Sequence, residues 1–303
     1  MDGNQPLVDA SINGHPVRFL VDLGSSNTFI SRSGAKALGL TPHRLSNVTL
    51  YGAGGGEVPS ETIIDDLKIG NMYAHKTDML VLGAGLKSNR YVGLLGADIL
   101  LQADIEFDLA EGAIRIFKPQ GCDGDQVVYW NKAYSLASIV PSNDPNILKV
   151  YVTLNGQKAV AQVDTGAYTS VVTAAMAERV GVKPGDEAVQ DASPTTGIAG
   201  KPVQTSVAVF STLAVGEESI KNAKLQIADL FGSDVKTETG SLVPHRVLDS
   251  PDMLLGADFI RAHRIYVARS QGKVYFSYNG GPIFQVLAPR AAELVTPPAP
   301  PVQ

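Results

Sequence analysis

Apolar and polar positions alternate along much of this chain with the period of two that a half-buried strand requires. Val8-Asp-Ala-Ser-Ile12 and Val17-Arg-Phe-Leu-Val21 are two such runs, separated by Asn13-Gly14. Asn-Gly between strands predicts a two-residue hairpin turn, because both turn positions need positive φ. Val150-Tyr-Val-Thr-Leu154, Asn155-Gly156 and Ala159-Val-Ala-Gln-Val163 give the same hairpin again. Ile105-Glu-Phe-Asp108 with Ala113-Ile-Arg-Ile-Phe117, and Arg264-Ile-Tyr-Val-Ala268 with Lys273-Val-Tyr-Phe-Ser277, predict a further hairpin near the end of each copy. The helical segments are short. Residues 33–38 and 174–180 run into Gly39 and Gly181, and glycine is the usual residue just past a helix end. Residues 98–102 and 258–262 are expected to form one more short helix per copy, each capped by its Asp98 or Asp258.

The copies have a fixed spacing. Asn13 and Asn155, Asp22 and Asp164, and Leu38-Gly39 and Val180-Gly181 recur at one offset of 142 residues. The glycine-rich 52–55 and 197–200 follow at 145, and Leu94-Leu-Gly-Ala-Asp98 recurs as Leu254-Leu-Gly-Ala-Asp258 at 160, so the second half carries insertions. Two copies of so long a unit mean duplicated domains, because a solenoid needs shorter units and at least three of them. The pattern predicts a first lobe over 1–118, a connector over 119–146, a second lobe over 147–287 and a Pro-rich extended or disordered tail over 288–303. Within the connector, Val127-Val-Tyr-Trp130 predicts an added strand.

Composition narrows the partners. Hydrophobic residues make up 44% of the 303 and charged residues 18%, so each half can bury a core. A net charge of −5 with no Lys/Arg-rich run argues against nucleic acid or anionic membrane as the main partner. No run of 18 apolar residues predicts a membrane span. The start, Met1-Asp-Gly-Asn4, lacks the basic and apolar regions of a signal peptide, which suits a cytoplasmic protein or one whose leader has been removed. Cys122 is the single cysteine, so no intramolecular disulfide forms. It lies in an acidic turn that would raise its thiol pKa, which makes it a poor nucleophile. The five histidines, His15, His43, His75, His245 and His263, show no metal-ligand spacing, and neither a metal nor a cofactor is expected. Tyr51-Gly-Ala-Gly-Gly-Gly56 lacks the Gly-Lys-Ser/Thr ending of a phosphate loop and is read as a hairpin tip.

The duplicated residues carry a chemistry of their own. Each copy delivers one carboxylate, Asp22 or Asp164, from the end of a strand. Two carboxylates in contact share one proton, because both cannot ionise cheaply. The ionised one can draw a proton from water while the neutral one donates to a peptide carbonyl, which is general acid–base hydrolysis. Gly24 and Gly166 follow at the second position, where absence of a side chain permits close backbone approach. The Ser25 hydroxyl is a candidate donor to the pair.

These residues resemble a known family. Asp164-Thr-Gly-Ala167, the Leu254-Leu-Gly256 motif and the glycine-rich 197–200 between them resemble the retropepsin-like aspartic proteases, above all bacterial single-chain forms with two fused halves. The resemblance covers about 7–118 and 147–279. It implies a mainly β fold of two closed β-barrel lobes in pseudo-two-fold array, with the active site in the cleft between them. It implies an aspartic endopeptidase with Asp22 and Asp164 as the catalytic dyad. Leu23, Gly24, Ser25, Thr165, Gly166 and Ala167 then form the supporting loops. The flaps implied are Tyr51, Gly52, Ala53 and Gly54 in one half and Gly197, Ile198, Ala199 and Gly200 in the other. An extended peptide bound mainly through its backbone is the implied substrate. Because both aspartates come from one chain, a monomer suffices. The resemblance also favours a periplasmic or secreted protein. One position departs from the pattern. The residue after each Asp is expected to bond across the interface through a hydroxyl, and Thr165 has one, whereas Leu23 has no polar side-chain atom. That leaves open a second reading, a weak or inactive relative that binds peptides without cutting them.

Overall fold

The computed structural model describes residues 5–46, 48–83, 86, 88–118, 126–183, 185–197, 200–230 and 250–284. The first half begins with strands β1 (Leu7–Ile12) and β2 (His15–Val21), then β3 (Phe29–Ser31) and helix α1 (Arg32–Ala37). A two-residue strand β4 (His43–Arg44) precedes the hairpin β5 (Leu50–Gly52) and β6 (Gly55–Glu57). Two long strands, β7 (Ser60–Ile69) and β8 (Met72–Leu82), lead to β9 (Gly93–Leu95) and α2 (Ala97–Leu100). The half ends with β10 (Asp104–Asp108) and β11 (Ala113–Phe117). After β12 (Ser135–Ser138) the second half repeats the order. It runs β13 (Lys149–Leu154), β14 (Gln157–Val163), β15 (Val171–Thr173), α3 (Ala174–Arg179), β16 (Gln190–Thr196), β17 (Pro202–Val215), β18 (Glu218–Ala228), β19 (Met253–Leu255), α4 (Ala257–Arg261), β20 (His263–Ala268) and β21 (Lys273–Tyr278).

Each half closes into a barrel. The order β1-β2-β9-β3-β8-β7 returns on itself because β7 also pairs with β1. The order β13-β14-β19-β15-β18-β17 returns through the pairing of β13 with β17. The protein is therefore mainly β, with two closed lobes, and β4 and β16 extend the two rings at one edge. The hairpins turn where the sequence demanded it: Asn13 and Gly14 have φ of 50° and 79°, and Asn155 and Gly156 have 46° and 80°. The turn residues fix the register, and the register puts Phe19, Val21, Ala161 and Val163 inward.

The lobes join through a third sheet, ordered β11-β10-β20-β21-β12. Strand β10 of one half pairs antiparallel with β20 of the other, Glu106 opposite Tyr266 and Phe107 opposite Ile265. One core runs without a break from Ile12 and Phe19 through Ile105, Phe107, Ile265 and Val267 to Leu154 and Phe210. The strand that Val127-Val-Tyr-Trp130 predicted is absent; β12 forms later, at Ser135–Ser138, against β21. Residues 127–130 are held by side chains instead. Val128 is buried, Trp130 Nε1 donates to Ser277 Oγ at 2.8 Å, and the Arg264 guanidinium stacks over both Tyr129 and Trp130. Cys122 and the 288–303 tail lie outside the described residues. Among the described residues no helix is long and apolar enough to cross a membrane.

Candidate active site

Strands β2 and β14 each end one residue before an aspartate. Strand β9 lies parallel to β2, and Leu95 O accepts the Asp22 N–H at 2.9 Å. Strand β19 lies parallel to β14, and Leu255 O accepts the Asp164 N–H at 2.9 Å. The Leu-Leu-Gly runs are thus the strands that fix where each aspartate leaves the barrel. Beyond them, Asp98 and Asp258 do not cap α2 and α4. The caps are Gly96 and Gly256, with no side-chain bond, and both Asp residues lie inside the first turn. Their carboxylates tie the loops back: Thr28 Oγ1 donates to Asp98 Oδ1 and Ser170 Oγ to Asp258 Oδ1, both at 2.6 Å. The same hydroxyls accept the N–H of Gly96 and Gly256.

The two loops meet in the middle of the molecule. Asp22 and Asp164 hydrogen-bond to each other through their side chains. A methyl group on Gly24 would stand 2.3 Å from Cγ of Asp164, and one on Gly166 would stand 2.3 Å from Cγ of Asp22. Each glycine is therefore required by the carboxylate of the opposite lobe. Backbone donors hold the carboxylates: Gly24 N and Ser25 N reach Asp22 Oδ1 at 2.8 and 3.2 Å, and Ala167 N reaches Asp164 Oδ1 at 2.8 Å. The Ser25 hydroxyl does not join them; it donates to Asn27 O at 2.8 Å, so Ser25 serves the pair through its N–H.

Burial pushes both carboxyls up from the ordinary range. Asp22 is held well above it, first by burial, then by the charge of Asp164 and by the hydrogen bond the two share. For Asp164, burial raises the pKa, and the Ala167 and Gly166 N–H groups and Asp22 pull it partly back. Two carboxyls raised in this way and in contact share one proton between them. They titrate as a pair.

Thr165, fully buried, makes the expected bridge: its Oγ1 donates to Val21 O at 2.6 Å and accepts from Leu23 N at 2.9 Å. Leu23 is 1% exposed and packs into the main core, so it returns no hydroxyl to the second lobe. Two hairpin tips, one from each half, meet each other. Tyr51 and Gly52 lie on β5, and Ala53 and Gly54 form its tip. Gly197 follows β16, and its carbonyl O accepts the Gly200 N–H at 3.0 Å; Ile198 and Ala199 lie outside the described residues. The tips touch: a Cβ on Gly197 would stand 2.1 Å from Ala53 O, and one on Gly54 would stand 2.8 Å from Lys201 O.

The structure adds three residues that the sequence pattern did not single out. Gln162 Nε2 donates to Gly24 O at 3.2 Å, and Gln5 Nε2 donates to Gly166 O. Gln162 was open to detection, since it lies two residues before Asp164 on the same strand face, where the first half has Leu20. Tyr91 packs against Leu20, Phe29, Leu82 and Leu94, and its phenol is raised by burial and by the charge of Asp22. Nothing in the repeat marks it, because the second half has Pro251 at the matching place. Among the described residues, no group of three or more His, Cys, Asp or Glu is placed to hold a metal ion.

The family model described as aspartyl protease matches residues 8–99 and 150–259, one stretch in each half. The chain belongs to the aspartyl protease family. An aspartyl protease is an aspartic-type endopeptidase, a hydrolase of peptide bonds, and the two matched stretches are the two halves of the duplication. Among solved structures the chain is similar to a retropepsin-like aspartic protease from Rickettsia conorii, with 14% identity over 49% of this chain and 96% of that one and a TM-score of 0.32. It is also similar to the EIAV protease complexed with the inhibitor HBY-793, with 22% identity over 40% of this chain and 92% of that one and a TM-score of 0.28. No curated protein matches the chain.

Proposed function

We propose that this aspartyl protease cuts an extended peptide with Asp22 and Asp164 as a proton-sharing dyad, and that a single chain suffices. The observation that supports it most is the meeting of the two carboxyls, one from each lobe, each lying also against the glycine of the opposite loop. Asp164, ionised, takes a proton from water as the water oxygen bonds to the scissile carbonyl carbon. Asp22 gives its proton to the carbonyl oxygen, and a gem-diol results. In the second step Asp22 takes a hydroxyl proton back, Asp164 gives its proton to the amide nitrogen, and the C–N bond breaks. The pair ends as it began. The peptide lies under the two hairpin tips and pairs with them through its backbone.

Cleavage of a mixed peptide library between about pH 3 and 7, read by mass spectrometry, tests this. Asp164→Asn is expected to abolish cutting, and cutting that survives it would sink the assignment. The pH profile carries the sign of the shifts. Loss of the shared proton ends activity on the alkaline side, and both carboxyls are held above their ordinary value. The alkaline limb therefore lies above the ordinary Asp value of about 3.9, and uptake of a second proton by the pair sets the acid limb. Activity per chain should stay constant on dilution, whereas a site shared between two chains would lose it.

A further inference from the structure

Two glutamines reach across the lobe interface to equivalent atoms of the two active-site loops. Gln162, on β14, donates from Nε2 to Gly24 O, and Gln5, just ahead of β1, donates from Nε2 to Gly166 O. Each bond runs from one lobe to the loop of the other. Each ends on the glycine that lies against the opposite carboxylate. They are not copies of one another. The 142-residue offset matches Gln162 with Leu20 and Gln5 with Ile147, and neither of those side chains carries a donor. The near-symmetry of the two bonds therefore comes from the site and not from the duplication.

The loops have need of such bonds. Thr165 ties the first-lobe loop through Val21 O and Leu23 N, but Leu23 ties nothing in return. Among the described hydrogen bonds, Gln5 is the first-lobe side chain that holds the second-lobe loop. A primary amide also suits the place electrically. Lys or Arg there would favour ionisation of both carboxyls, and Glu would oppose the one charge the pair keeps. A neutral donor fixes the backbone and leaves the shared proton where it is.

We infer that Gln5 and Gln162 are positioning residues, whose amides hold the two aspartate loops in register in place of the hydroxyl that Leu23 lacks. The kinetic consequence rests on the dyad reading; the brace itself does not. Both side chains are partly exposed, so Gln→Leu removes the donor at nearly constant volume without opening the core. The test compares wild type, Gln5→Leu, Gln162→Leu, the double variant, and the double variant carrying Leu23→Thr. Two readouts are taken: steady-state kinetics on a cleaved peptide, and amide hydrogen exchange of the 19–28 and 161–170 loops. Each single variant is expected to lower kcat about tenfold with KM held within about twofold, because the loss is of geometry and not of substrate contact. The double variant should fall further and exchange faster in both loops, and Leu23→Thr should recover most of both. Leu23→Thr alone should change kcat less than about threefold, since the brace is already present. A double variant with wild-type kcat and wild-type loop exchange would overturn the inference, as would a double variant that Leu23→Thr fails to recover. If wild type shows no cleavage that Asp164→Asn abolishes, the dyad reading has failed, and loop exchange alone decides the brace. Should Leu at either position lower the thermal midpoint, Gln→Met repeats the comparison.

Discussion

At the scale of single residues, the two aspartates and the glycines beyond them form one unit. Gly24 is small because of Asp164, and Gly166 because of Asp22. The carboxyls are pressed together, which stabilises the half-protonated state and strains the doubly ionised one. That has a consequence for stability with a definite sign. Both pKa values are raised, so the folded pair binds more protons than the unfolded chain at pH values above the usual carboxylate range. Stability from the pair is then fully present below about pH 4 and is lost as pH rises through the folded values. Asp22→Asn removes that loss while an amide oxygen still accepts from Gly24 N and Ser25 N. We expect Asp22→Asn to have a higher thermal midpoint than wild type at pH 7 and no advantage at about pH 3.5. An equal gap at both pH values would show that the pair does not share a proton. The sequence displayed Asp22, Asp164 and both glycines because they recur at one spacing. It hid Gln5 and Tyr91 because their roles arise from tertiary placement and have no partner in the repeat.

At the scale of elements, local chemistry was a good guide wherever a turn or a repeat decided the outcome. The Asn-Gly hairpins and the short helices before Gly39 and Gly181 stand where the pattern put them, with α1 at Arg32–Ala37 and α3 at Ala174–Arg179. It failed where side chains from distant strands decide. Tyr129 and Trp130 favour a strand by type, but the guanidinium of Arg264 and the hydroxyl of Ser277 hold them out of any ladder. The short Ser135–Ser138, which has no strong strand signal, becomes β12 because β21 offers it a free edge. On the proposed function, the hairpin tips are the element under which the peptide enters. Gly197 has no room for a side chain against Ala53 O. Gly197→Ala must therefore push the tips apart without touching the barrels. We expect kcat/KM to fall about tenfold, with most of the loss in KM, and the thermal midpoint to stay at the wild-type value. A drop in kcat alone would mean that the tips act on the dyad and not on the substrate.

At the scale of the molecule, the dyad depends on how firmly the two lobes are joined. The joining sheet carries a buried charge cluster on the strands that cross between halves. Glu106 has no exposed surface, yet the Arg264 guanidinium lies 2.6 Å and Arg115 Nη1 3.1 Å from its Oε1, and the Tyr129 hydroxyl donates to Oε2. Asp108, also buried, lies 3.4 Å from both arginines. Glu106 belongs to the first half and Arg264 to the second, so this contact spans the same interface as the dyad. Removing the carboxylate leaves Arg264, largely enclosed, with Asp108 as its remaining anionic partner. A broken buried ion pair typically costs about 3–5 kcal/mol, and partial exposure of Arg115 places Glu106→Ala at the lower end, about 3 kcal/mol. Because one core runs through both lobes and the shared sheet, the loss should lower the urea midpoint of a single cooperative transition. Glu106→Gln keeps an acceptor for Tyr129 and should lose less. Two separate transitions in Glu106→Ala, one at the wild-type midpoint, would show that the lobes unfold independently and that the interface is held by something other than this cluster. A single lowered transition, with kcat reduced at urea concentrations where the wild type is still fully active, would tie the stability of the joining sheet directly to the geometry of the dyad.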